Sequence, residues 1–170
     1  MNSGEIFDEK YKILDIIGHG GMGTVYLAQH IKLQTLWAIK ELKKDEAGAL
    51  DLLTEANILK KLNHSALPRI FDIVEDEKHI YVIVDYIEGK TLQSILEEKG
   101  RIEEEVVLDW VKQLCDVLSY LHSFKPNPII YRDMKPSNIM LTKDQMIKLI
   151  DFGIAREYKE KSENDTIYIG

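Results

Sequence analysis

Four residues in the last third of the chain, Asp133, Lys135, Asn138 and Asp151, combine two carboxylates, an ammonium and an amide. A polar loop (131–138) leads into the apolar run 139–141; after the turn-like Lys143-Asp144-Gln145 comes a second run, 146–150, and then Asp151-Phe152-Gly153. Two short apolar runs about such a turn read as a β-hairpin. The hairpin brings the four residues to one edge of a small sheet. Together they can hold divalent cations and a phosphate while orienting a hydroxyl. Asp133 is the candidate to accept the hydroxyl proton. Its ordinary pKa of about 3.9 makes it a weak base at neutral pH, which suffices where the transition state is loose and positioning matters more than basicity. Lys135 can neutralise charge on a transferring phosphoryl group, and Asn138 and Asp151 offer the hard oxygens that Mg²⁺ prefers. Taken singly, each residue also has a plainer use in a turn or cap.

The elements that must position this set lie upstream. Gly18-x-Gly20-x-x-Gly23 sits between strand-like segments at 11–17 and 24–29. A dinucleotide-binding fingerprint has the same spacing but needs a helix to begin at its last glycine. Here T-V-Y-L-A follows, alternating and β-branched, so the loop reads as a hairpin cover over phosphates, whose glycines let backbone N–H groups come close. A plain glycine-rich turn is the alternative. Lys40 ends a third strand-like run over 36–41, W-A-I-K-E. In the helical pattern at 49–62, Glu55 shares a face with Leu52, Leu59 and Leu62. A carboxylate in an apolar stripe is costly without a cation, and Lys40 is its natural partner; otherwise Glu55 sits at the edge of the stripe.

A second hairpin is expected over 70–75 and 79–84, about Asp76-Glu77-Lys78, then helices over 92–99 and 103–124. Glu103-Glu104-Glu105 favours a helix N-terminus through the macrodipole. Val107, Trp110, Val111, Leu114, Leu118 and Leu121 recur at helical spacing, and Cys115 among them reads as buried filler. A net charge of −7 argues against a general nucleic-acid binder, whose footprint is basic. No apolar run approaches the ~20 residues that cross a bilayer, and the first ten residues carry no signal-peptide core. The expected location is therefore cytoplasmic, with no membrane segment in the chain.

The segments I-G-H-G-G-M-G-T-V, W-A-I-K, Glu55 in the following helix, Y-R-D-M-K-P-S-N and D-F-G occur in this order. In them the sequence resembles the eukaryotic-like (Hanks-type) serine/threonine protein kinases, and Lys135-Pro136 resembles the serine/threonine rather than the tyrosine group. The resemblance implies an α+β, bilobal kinase-like fold: a complete β-rich N-lobe over 1–84, a hinge over 85–89, and a partial helical C-lobe over 90–170. It implies transfer of the γ-phosphoryl of Mg-ATP, with Mn²⁺ as a substitute ion, to protein Ser/Thr hydroxyls. Catalytic positions would be Asp133, Lys135, Lys40 and Glu55, with Asn138 and Asp151 on metal. Gly18, Gly20, Gly23, Val25, Ala38, Lys40, Val84 (as gatekeeper), Asp85 and Met140 would hold the nucleotide. Leu59, Ile80, Tyr131 and Phe152 would stack as a regulatory spine.

Thr166 is the first phosphosite candidate, through pairing with Arg132, ahead of Ser162 and Tyr168. The partners implied are a protein substrate, the chain itself in autophosphorylation, and a second copy in a homodimer. Three departures from the family pattern stand out. Tyr131 replaces the usual His, and Trp37 replaces the usual Val with no partner that the sequence names. The chain also reaches Gly170 before an A-P-E-like motif or the later C-lobe helices. Partly exposed apolar faces on the 103–124 helix and the hairpin are the expected result, as is a second reading: a non-catalytic nucleotide-binding fragment that acts by binding another protein.

Overall fold

The computed structural model describes residues 1–20, 23–44, 60–150 and 156–157. Its first half is a six-stranded antiparallel sheet built from β1 (Ile6–Phe7), β2 (Tyr11–Gly20), β3 (Gly23–His30), β4 (Leu36–Lys43), β5 (Ile70–Glu75) and β6 (His79–Asp85). The spatial order is β1-β2-β3-β4-β6-β5. Strands alternate their side chains between two faces, and the register sorts them. Val25, Lys40 and Val82 stand side by side on one face, with Leu27, Ala38 and Val84 beside them. Tyr26, Ile39 and Ile83 occupy the other. Register shifts between Ile13 and Asp15 and between Ile16 and Gly18 bulge β2 against β3, and such bulges bend a strand and increase its twist.

The face away from Lys40 is a core in its own right: Tyr11, Ile13, Tyr26, Ala28, Ile39, Tyr81 and Ile83 are buried together, with Met1 and Phe7 packed on them. The N-terminal residues fold across this face. Gly4 N–H donates to Ile13 O, Ile13 N–H donates to Glu5 O, and the Phe7 ring meets Tyr81 at 4.6 Å between centroids. Trp37 also finds a partner. Its ring lies 4.5 Å from that of Phe71 on β5, and its indole N–H donates to Thr35.

The β5–β6 turn is fixed by one carboxylate. Asp76 accepts the backbone N–H groups of Lys78 and His79, each at 2.7 Å, and the Tyr81 hydroxyl at 2.9 Å. Led by the Lys78 bond, and against some desolvation, these donors pull its pKa from 3.8 down to about 2. A folded-state pKa below the unfolded one gives stability that is present above 3.8 and is lost as pH falls toward about 2. Asp76→Asn is therefore expected to lower the melting temperature at neutral pH and to remove this part of the acid limb. Melts at stepped pH with identical acid limbs in variant and wild type would refute it.

The second half is helical, with a small sheet. β7 (Gly89–Thr91) runs directly into α1 (Leu92–Lys99), where Thr91 caps the helix by accepting Ser94 N–H, and Gly100 ends it at φ 72°. Next come α2 (Glu104–His122), β8 (Ile129–Ile130), a 3₁₀ turn (Pro136–Asn138), β9 (Ile139–Thr142), β10 (Ile147–Leu149) and β11 (Arg156–Glu157). The expected hairpin is β9–β10, and β7 adds to its other edge; β8 pairs with β11. Trp110, Val117, Leu121, Ile129, Tyr131, Ile139, Leu141, Ile147 and Leu149 form the buried centre, joined by Leu62, Ala66 and Leu67 from the segment before β5. The bilobal α+β architecture expected from the sequence is thus present, with two helices among the described residues.

One reading of α2 needs correction. Cys115 is exposed, not buried filler. The buried stripe runs through Trp110, Val117 and Leu121, with Leu114 and Leu118 partly covered. Val107, Val111 and Cys115, each four residues apart, make a neighbouring row that faces outward; Val111 is 45% exposed and the adjacent Leu108 is 50% exposed. Apolar spacing marks a helix but not the centre of its buried arc. Met146 on the hairpin is also exposed, so both apolar faces expected to be partly open are so.

Candidate active site

The polar loop folds on itself because Pro136 opens the 3₁₀ turn and Asn138 N–H closes it onto Lys135 O at 2.9 Å. Pro suits this first position, since its missing N–H would have no partner there. The turn aims Asn138 back along the loop. Its amide Nδ2 donates to Asp133 Oδ2 at 2.7 Å and to the Asp133 carbonyl at 3.1 Å, and the residue is buried. Lys135 Nζ lies 2.7 Å from the same Asp133 Oδ2. Three of the four residues singled out in this region therefore form one cluster. The Lys135 ammonium, with the Asn138 amide adding to it against some desolvation, holds the Asp133 carboxyl below the usual aspartate range.

With Nδ2 committed to Asp133, Oδ1 is the atom of Asn138 able to ligate a cation, and a hard carbonyl oxygen suits Mg²⁺. The donor set on this side fits that ion. Among the described residues no cluster of three or more His, Cys, Asp or Glu could hold a metal by itself. Asp151, the second expected ligand, lies outside the described residues, as do Glu55, Leu59, Phe152, Thr166, Ser162 and Tyr168. Ile150 N–H donates to Asn138 O at 3.0 Å, which ties the end of the hairpin to the loop.

Val25, Ala38, Lys40 and Val84 share the sheet face described above. Lys40 is centred on it, opposite Val25 in β3 and Val82 in β6. Met140 is the middle of the small sheet, opposite Thr91 and Lys148. Of the spine positions, Ile80 is buried with Leu42 and Val82, whereas Tyr131 belongs to the helical core. Asp85 turns its carboxylate away from a ligand role. It accepts the Arg69 backbone N–H and Nε, both at 3.0 Å, and Nη2 at 3.2 Å, while its own N–H donates to Arg69 O. Burial pushes this carboxyl up, but the Arg69 bonds outweigh it and leave the pKa lowered. Any contact of Asp85 with a nucleotide base therefore falls to its carbonyl.

The three glycines have different reasons. Gly23 has φ 136°, and a Cβ there would run into the backbone carbonyl of Glu41 in the next strand. At Gly18 a Cβ would meet Val25 Cβ at an ordinary 3.5 Å, so nothing among the described residues excludes a side chain. Gly18→Ala is expected to melt within about 1 kcal/mol of wild type yet to bind ATP more weakly; unchanged affinity by calorimetry would refute a phosphate approach at this glycine. Gly20 lies at the end of β2, beside the undescribed tip.

Spacing alone did not reveal what joins the two halves. The Asn63 N–H donates to the Tyr120 hydroxyl at 2.8 Å, and the His64 ring lies 5.0 Å from the Tyr120 ring. Ala66 N–H donates to His64 Nδ1, so the ring proton is on Nε2, which donates to Asp116 at 3.2 Å. The only cue in the sequence was the polar Asn63-His64-Ser65 run before Pro68.

With this geometry in view, comparison with known proteins is specific. The model of the protein kinase domain matches residues 11–169. A probable serine/threonine-protein kinase of Clostridium acetobutylicum is 34% identical over 167 residues, 96% of this chain and 25% of that protein. Sperm motility kinase 2B of Mus musculus is 33% identical over 91% of this chain and 31% of its own length. Serine/threonine-protein kinase 36 of Pongo abelii is 40% identical over 87% of this chain and 11% of its own length. The chain thus spans a third or less of these relatives. A match over nearly the whole chain makes the chain a member of the protein kinase family.

Proposed function

We propose that the chain carries the nucleotide and catalytic positions of an ATP-dependent serine/threonine protein kinase, and that it transfers the γ-phosphoryl of Mg-ATP to a Ser or Thr hydroxyl of a protein. The observation that carries this reading is the cluster of Asp133, Lys135 and Asn138 about one carboxylate oxygen. In this reading Asp133 orients the hydroxyl and takes its proton late. Lys135 swings from Asp133 to the phosphoryl oxygens, and Asn138 Oδ1 helps hold Mg²⁺, with Asp151 as the partner ligand. Asn138 and Asp151 would hold the ion, which when bound would supply positive charge to offset what develops on the phosphoryl group. Val25, Ala38, Val84 and Met140 enclose the base, Lys40 holds phosphate oxygens, and Glu55 keeps Lys40 in place. The names of the relatives, serine/threonine kinases from bacteria and mammals, support the acceptor class.

The test is transfer of label from γ-labelled ATP to a generic protein substrate or to the chain itself. Wild type is expected to incorporate label and Lys40→Met to fall to background; equal signal from both would mean a contaminant. The exposed apolar patch of Val107, Leu108 and Val111 favours a second reading, a nucleotide-binding unit that works by docking on another protein. That reading expects ATP with Mg²⁺ to raise the melting temperature without turnover. No helix among the described residues is long and apolar enough to cross a membrane.

A further inference from the structure

A pocket of about 400 Å³ lies against the segment that joins the sheet to the helical half. Leu36 and Trp37 line it from β4, Tyr86 and Ile87 from the joining segment, and Lys148 from β10. An occupant would therefore touch both halves at once. Trp37 packs on the buried core of Tyr26, Ile39 and Ile83, on the side of the sheet away from Lys40. Val25, Ala38, Lys40, Val84 and Met140 take no part in this pocket; among the described residues proposed for the nucleotide, only Asp85 borders it. It is a second concavity, of a size that small ligands fill.

Its walls are fixed before anything binds. The Trp37 ring rests on Phe71 and donates its indole N–H to Thr35. The Arg69 guanidinium is forked onto Asp85 through Nε and Nη2, and Lys148 Nζ donates to Ser65 O. The charges are unevenly matched. Both carboxylates in the wall already hold a cation: Asp85 has Arg69, and Glu88 has Lys143. Lys148 has a neutral carbonyl instead, and no salt bridge among the described residues joins it to a carboxylate. Its ammonium keeps N–H groups to donate, and so does Nη1 of Arg69. Beside these donors lies apolar surface, with Leu36 44% exposed. A fitting occupant brings acceptors and negative charge on an apolar body.

We propose that this pocket binds a small aromatic carboxylate, its ring against Leu36, Trp37 and Ile87 and its anionic end at Lys148 and Arg69. Charge-assisted hydrogen bonds to fixed donors are the strong kind, and groups already held in place lose little freedom on binding.

The experiment titrates sodium naphthoate, and separately naphthylmethylammonium chloride, into the full chain and follows the indole N–H resonances. The chain has two tryptophans, and Trp110, buried on α2, is the internal control. Naphthoate is expected to shift Trp37 saturably, with a Kd on the order of 1 mM for a ligand of this size, and to leave Trp110 in place. The ammonium compound carries the same rings and is expected to bind at least about tenfold more weakly. Lys148→Met is expected to weaken naphthoate about tenfold, and Lys148→Arg, which keeps the charge and its donors, to retain most of the binding. Absence of a Trp37 shift overturns the proposal. So does equal binding of the two probes, or a Lys148→Met protein that binds naphthoate as wild type does. If Lys148→Met does not fold, the comparison of the two probes on wild type still decides.

Discussion

Asp133→Asn is expected to slow phosphoryl transfer by about 10²–10⁴-fold, with ATP affinity within about twofold of wild type. The asparagine has nearly the same shape, and its Oδ1 can still accept a hydrogen bond from Asn138. What it lacks is the charge that holds Lys135 and the capacity to take a proton from the hydroxyl. Lys135 Nζ lies 2.7 Å from the carboxylate, and that contact, chiefly, lowers the Asp133 pKa. In wild type the ionised form therefore persists below the usual aspartate range, and the rate dependent on it falls only as pH drops through that lowered value. In Asp133→Asn the residual rate has no such acid limb. Steady-state rates of label transfer across pH decide it, and equal rates with equal limbs would remove Asp133 from the chemistry.

Gly23→Ala is expected to cost about 2–4 kcal/mol of stability and to lower the melting temperature accordingly. Two penalties coincide at this position. Its φ of 136° lies where a side chain is strained, and a Cβ would overlap Glu41 O in the paired strand. To admit the methyl, β3 must part from β4, and Val25 opposite Lys40 moves with it. Gly100→Ala is the control. It also has positive φ, but open space around it, so only the backbone penalty of about 1–2 kcal/mol applies. Denaturant melts that place Gly23→Ala at or above Gly100→Ala would refute the packing argument.

The order of strands and helices was legible because each segment carries one clear period. The 92–99 helix is where it was expected, and α2 differs from its expected bounds by a residue or two at each end. The hairpin was legible for the same reason: two apolar runs about a polar turn leave few alternatives. β1, β7 and β8 were not seen, since two or three residues carry no period and pair only because tertiary contacts bring an edge to them. Cys115 was misjudged because a stripe four residues wide does not say which side is covered. At the site, residue types and spacing foretold that Asp133, Lys135 and Asn138 would meet. They could not foretell that Asn138 spends its amide hydrogens on Asp133, or that Arg69 claims the Asp85 carboxylate. Those outcomes depend on rotamers and on chain separated by up to 16 positions.

Gly89 sits so close to the Leu141 carbonyl that a Cβ there would overlap it, and β7 is thereby locked onto β9. Asp85, at the other end, is held in β6 against Trp37 and by Arg69. Only Tyr86, Ile87 and Glu88 lie between these two anchored strands. With two soft dihedrals per residue, the covalent pivot between the sheet and the helical half has few degrees of freedom. A rotation at any of the three turns the sheet against the helical half directly instead of dissipating along a slack connection. Glu88 is itself bridged to Lys143 at 2.6 Å, so the rate at which a nucleotide escapes should respond to salt through this exposed ion pair.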